Sequence, residues 1–204
     1  MGHGTADVGG QRIFSRGRSA CAVGWQVNRH VMLDLETMSS ANNAALVSIG
    51  AFKFADGDRQ EADQVSTDQI FHRSIDLKSS EAHGLHVDPE TVAWWAQQSE
   101  EARAAIAGGI DLATALQDFS DWLPKGALVW GYGATFDNVV IRSAFKAAGL
   151  KSPIHYRQDL CFRTLKAMFP DVAEVAYGIK HNALDDAIRQ GLHLQRILER
   201  IRLI

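Results

Sequence analysis

The stretch VMLDLETM, residues 31–38, sets two carboxylates two positions apart inside an otherwise apolar run. A strand repeats every two residues, so Asp34 and Glu36 share one face while Val31, Leu33 and Leu35 take the other. Two like charges side by side repel, and removing them from water costs several kcal/mol or more unless something compensates. The usual compensators are a basic partner or a metal ion. No lysine or arginine occurs within 31–38.

Around this stretch the chain reads as alternating strands and helices. Strand one is expected over 30–36. Strand two, ALVSIGAFKF from Ala45 to Phe54, is apolar on both faces, as a central strand should be. Asp56-Gly57 supplies a turn, and strand three falls at 69–75. A helical region follows, in which Asp88 can cap VDPETVAWWAQQ with Pro89 at its first position, and Ser99 can cap a second helix. A third helix spans 111–123 and a short buried strand 127–130. A helix over 137–148 can end at Gly149, a fifth strand lies near 156–160, and a helix follows over 161–168. The last helix, 183–201, carries Leu184, Ile188, Gly191, Leu194, Leu198 and Ile201 on one face. The pattern is α/β with a mixed sheet.

With 204 residues, 46% hydrophobic and 22% charged, the chain has the makeup of one globular domain. It is long enough to bury about 70% of its unfolded surface. Residues 1–28, rich in Gly, Ser and Arg, read as a flexible leader or an over-extended start, leaving 29–204 as the domain. Cys21 and Cys161 make neither a disulfide framework nor a zinc spacing, which suits a reducing compartment. No apolar run is long enough to span a membrane or form a signal core, so cytoplasm is expected. The net charge of −3 excludes coating nucleic acid with a basic surface. A nucleic-acid partner would be gripped locally, and two bound divalent ions would reverse the sign of the net charge.

Two further segments carry chemistry. In GYGATFDNVV (131–140) a short apolar strand runs through glycines into a helix beginning at Asp137. An acid in a first helical turn is favoured by the helix dipole, so Asp137 is either a helix-start charge or a functional acid. In KHNALDDA (180–187) Asn182 is a natural cap, and Asp185 three residues later resembles a capping box. Asp186 has no such role. With His181 it can face a shared cleft.

D-L-E-T, then F-D at a helix start, then H-x-x-x-x-D opening the last helix, in this order, resembles the DEDD superfamily of 3'-to-5' exonucleases in its histidine-containing subclass. The resemblance covers about 29–203. GYGATFD, HNALDDA and DPETVAWWAQQ look closest to small bacterial 3'-5' exoribonucleases and phage-type exodeoxyribonucleases. It implies a ribonuclease H-like mixed five-stranded sheet with flanking helices. It also implies that Asp34, Glu36, Asp137 and Asp186 bind two metal ions and that His181 is the general base. Asp34 would bridge both ions, Glu36 and Asp186 would complete the nucleophile side, and Asp137 would hold the leaving-group side. Hard oxygen ligands suit two Mg²⁺, with Mn²⁺ as substitute, and histidine titrates close to neutrality. The family often carries an asparagine a few residues before the Phe-Asp pair; Tyr132 and Gly133 stand there in this chain.

By the same resemblance Thr37 and Met38 meet the 3'-terminal nucleotide; a plain strand-end loop is the other reading. Trp94 and Trp95 point about 100° apart on a helix; core packing of both is the first reading, and the other is that one of them, with Trp95 as the candidate, stacks on a base. Lys180 and the basic side chains between 142 and 166 form a phosphate rim or are simply solvated. The expected activity is a metal-dependent 3'-5' exonuclease on single-stranded ends, RNA before DNA, releasing nucleoside 5'-monophosphates, with homodimers common among its relatives. A non-catalytic nucleic-acid-binding module is the alternative. A structural domain whose acids are paired with arginines is a third.

Overall fold

The structure, a computed structural model, describes residues 29–204. The expected leader, 1–28, and Cys21 lie outside that range. Five strands form one sheet in the order β3-β2-β1-β4-β5. They are β1 (Arg29–Thr37), β2 (Leu46–Ala55), β3 (Ile70–Ser74), β4 (Leu128–Gly131) and β5 (Asp159–Cys161). β1 pairs antiparallel with β2 and parallel with β4, so the acid-bearing strand is central and the sheet is mixed. Helices α1 (Leu77–Ala82), α2 (Pro89–Trp95), α3 (Glu100–Ala105) and α4 (Leu112–Trp122) occupy the long connection from β3 to β4. Helix α5 (Asp137–Ala147) links β4 to β5, and α6 (Phe162–Met168) and α7 (Ala183–Arg202) close the chain.

The alternation in VMLDLETM divides the core. Val31, Leu33 and Leu35 pack with Phe119, Ile141 and Phe145 of α4 and α5 on one face. Met32 packs with Phe52, Phe162 and Ile188 under α6 and α7 on the other. Asp34 and Glu36 follow Met32 on this second face, beneath the start of α7.

The caps expected at Asp88 and Ser99 form, and Asp111 caps the third helix as well. Asp88 accepts from the Glu90 amide, Ser99 from Ala102, and Asp111 from Thr114. The fifth strand is shorter and later than its expected span. Residues Tyr156–Gln158 form a 3₁₀ turn instead, because His155 and Gln158 bond each other's backbone amides and compete with strand pairing. On α7 the buried stripe is broader than the expected face. Leu192 and Ile197 are buried too, and Ile201 is exposed. No helix among the described residues is long and apolar enough to cross a membrane.

Candidate functional site

The acid pair sits where β1 leaves the sheet. Asp34 lies opposite Gly50 of β2, and Glu36 opposite Ser48. A Cβ at Gly50 would overlap the backbone of Ala183 and Leu184. Only glycine lets the first turn of α7 rest directly on the strand beside Asp34. Asn182 fixes that turn, its side-chain oxygen accepting from the amides of Leu184 at 3.1 Å and Asp185 at 3.2 Å. Asp186 is thereby delivered to the acid pair.

His181 stands just before the cap with φ of 62°, the left-handed region that non-glycine residues rarely occupy. This bend turns its amide onto a carboxylate oxygen of Asp186, at 3.1 Å. Glu36, His181 and Asp186 each offer an atom within 4.8 Å of the others.

The fourth acid arrives from the other side of β1. β4 runs parallel to β1 and ends at Gly131 beside Leu33, which brings the chain to the same end of the sheet. The turn that follows is tight. Asp137 accepts from the Gly133 amide at 3.2 Å and opens α5. Gly131 is needed here too, since a Cβ would fall 2.9 Å from the Asp137 side chain. Asn138 anchors this helix start by donating to Val129 and to Asp159, both at 3.0 Å.

All four acids line one cleft of about 600 Å³, together with His181 and Lys180. Each of the four acidic residues is at most 8% exposed. Burial, followed by the charges of Asp137, Glu36 and Asp186, pushes Asp34 well above the usual carboxylate range. Burial and the charges of Asp186 and Asp137 push Glu36 up to about 8, with no hydrogen-bond donor opposing them. Burial raises Asp137 to about 6 against the pull of the Gly133 amide and the Arg163 charge. Burial raises Asp186 as well, against the Arg189 charge and the His181 amide.

The protein's own donors do not balance this charge. Gln190 donates to Asp34 at 2.8 Å and Arg189 is bonded to Asp186. Glu36 has no cationic partner among the described residues. A purely structural cluster paired with arginines is therefore the poorer fit. Four buried carboxylates with a single arginine ion pair among them, at Asp186, fit hard divalent cations. Sequence reasoning missed Arg189 and Gln190. Both were accessible by helical spacing, three and four residues after Asp186.

Other expectations need correction. Trp95 is not the free aromatic. It is 4% exposed, packed in the core, and its indole N–H donates to the Thr37 carbonyl at 2.9 Å. Trp94 is the exposed one, and its ring stands edge-on to His181, centroids 5.0 Å apart. Met38 is buried in the same core as Trp95, so its side chain is not free to wedge against a base. Thr37 is buried and its hydroxyl donates to the Ser39 carbonyl at 2.7 Å. Asp185 does not close a capping box on Asn182; its carboxylate accepts from the Ile179 amide at 2.9 Å. The basic stretch 142–166 does not act as one rim. Arg142 is tied to Asp159 at 2.6 Å, and only Arg163 and Lys166 of that stretch line the cleft.

Known proteins resemble this chain in sequence or in fold. The phage T4 exodeoxyribonuclease is 31% identical over 119 residues, 52% of this chain and 51% of the phage protein. The chain thus matches about half the length of that relative. Cell-death related nuclease 4 superposes with a TM-score of 0.59 at 13% identity, over 85% of this chain and 64% of that one. E. coli Exonuclease I, solved with an oligonucleotide, gives a TM-score of 0.55 at 15% identity, over 86% of this chain and 42% of that one. At such identity the structures establish the ribonuclease H-like fold alone. The family model described as the 3'-5' exoribonuclease Rv2179c-like domain matches residues 29–198, most of the chain, and the protein therefore belongs to that family.

Proposed function

We propose that the protein is a divalent-metal-dependent 3'-5' exonuclease that shortens single-stranded RNA and releases nucleoside 5'-monophosphates. The observation that carries this is the quartet of buried, under-compensated carboxylates with His181 beside Glu36 and Asp186. Asp34, Glu36, Asp137 and Asp186 would hold Mg²⁺ or Mn²⁺. When bound, the metal supplies a hydroxide-like nucleophile at neutral pH and neutralises charge on the phosphate. An imidazole nitrogen of His181 accepts the proton of the attacking water. The left-handed backbone at His181 and the edge of Trp94 orient that ring toward the acids. Asp137, on the far side of β1, serves the leaving oxygen. Lys180, exposed at the cleft mouth, meets the phosphate backbone.

RNA is placed first on the family's description. Single-stranded DNA is the second reading, favoured by the name of the phage relative and by the oligonucleotide in the Exonuclease I structure. One experiment ranks them. RNA and DNA strands of one sequence, labelled at either end, are digested with Mg²⁺ and the products separated. A 3' label released at once as a mononucleotide, with a 5'-labelled ladder shortening stepwise, supports the proposal. Internal fragments from both labels would contradict it.

A further inference from the structure

The cleft continues past Asp137. Over Tyr132 it opens into a second hollow of about 460 Å³ bounded by α6 and the segment after it. Tyr132, Arg163, Lys166 and Glu174 line both spaces. Arg163 and Lys166 are three residues apart on α6 and project from one face. The guanidinium carbon lies 4.9 Å and the ammonium 5.7 Å from the centre of the Tyr132 ring. The Arg163 guanidinium also occupies the space beside Gly133, 3.4 Å from where a Cβ would stand, and the Gly133 amide donates to Asp137. Arg163 has no carboxylate partner among the described residues. Lys166 is paired with Glu174 at 2.6 Å, but that side chain is 67% exposed. An exposed ion pair of this kind is readily exchanged.

We propose that Arg163 and Lys166 bind the internucleotide phosphate next to the scissile one, on the strand that remains, and that Glu174 occupies Lys166 until this phosphate displaces it. The inference rests on the exonuclease reading of the adjoining acids. In that reading the leaving oxygen belongs to the shortened strand, so the strand departs on the side of Asp137, where Arg163 stands. A planar guanidinium and an ammonium on one helix face suit a phosphate diester, and such contacts position the strand without reading sequence. The Tyr132 ring lies near both charged groups and helps hold them at the groove.

The test is anisotropy of a labelled single-stranded oligonucleotide in Ca²⁺ across a salt series, with hydrolysis in Mg²⁺ measured in parallel. Arg163→Gln and Lys166→Gln should each weaken binding about tenfold. Each should also reduce the slope of log affinity against log salt, and the double substitution should reduce it by about 0.7, one phosphate contact on a single strand. Glu174→Gln frees Lys166 and should tighten binding about threefold. Glu199→Gln makes the same charge change near the other end of α7 and should leave binding as it was. Unchanged slopes in both cation variants of an enzyme that still cuts oligonucleotides would overturn the subsite alone. Equal tightening by Glu174→Gln and Glu199→Gln would overturn the role of Glu174. A wild type that neither binds nor cuts would overturn the exonuclease reading beneath it.

Discussion

Asp34 is costly to bury. Its carboxylate is buried, faces three other acids and has Gln190 as its side-chain donor. Asp34→Asn removes that repulsion, so the metal-free variant should be more stable than wild type by about 1–3 kcal/mol in denaturant titrations while losing activity. The two neighbouring tryptophans should separate as sharply. Trp95→Ala empties a core site and should cost about 3–5 kcal/mol. Trp94→Ala should cost under about 1.5 kcal/mol, the worth of one aromatic contact, yet lower turnover through His181. Comparable destabilisation by the two would contradict their placement. Which tryptophan was exposed was not legible in the sequence. Helical spacing separates the two rings by direction, but the direction of the core depends on where α2 docks against β1.

At the scale of elements, the site depends on how closely two helix starts approach the sheet. Gly50→Ala should push α7 off β2, cost about 1–3 kcal/mol by denaturant midpoint, and lower activity further than stability alone explains. Retained activity with full stability would show that α7 does not need this approach. β1, α5 and α7 were legible because their signals are local: alternation around Asp34, the acid opening α5, the Asn182 cap. So was the order of the acids along the chain. The fifth strand was misplaced because His155 and Gln158 satisfy the backbone locally. The role of Asp185 was misread because its partner, Ile179, lies before the cap. The contacts of Arg163 with Tyr132 and of Arg142 with Asp159 join separate elements, and no single-segment pattern announces them.

For the whole molecule, charge and pH are linked through the same acids. Glu36 and Asp137 have folded values of about 8 and about 6, above the ordinary 4.5 and 3.8. A raised acid binds more protons folded than unfolded, so its contribution is fully present below its ordinary value and is lost as pH rises through the folded one. The melting temperature of metal-free protein should therefore receive a falling contribution from these groups between about pH 4 and about pH 8. Mg²⁺ or Mn²⁺ should reverse the fall, and the metal-induced shift should grow with pH, because binding must displace the retained protons. A metal shift that shrinks as pH rises would contradict this. The central claim is tested most directly by hydrolysis of 5'-labelled single-stranded RNA, with wild type and Asp186→Asn, in Mg²⁺ and in chelator. Wild type should give a ladder shortening from the 3' end, lost in chelator and reduced at least about a hundredfold by the substitution. Cleavage that survives both would contradict a metal-dependent site built on these acids.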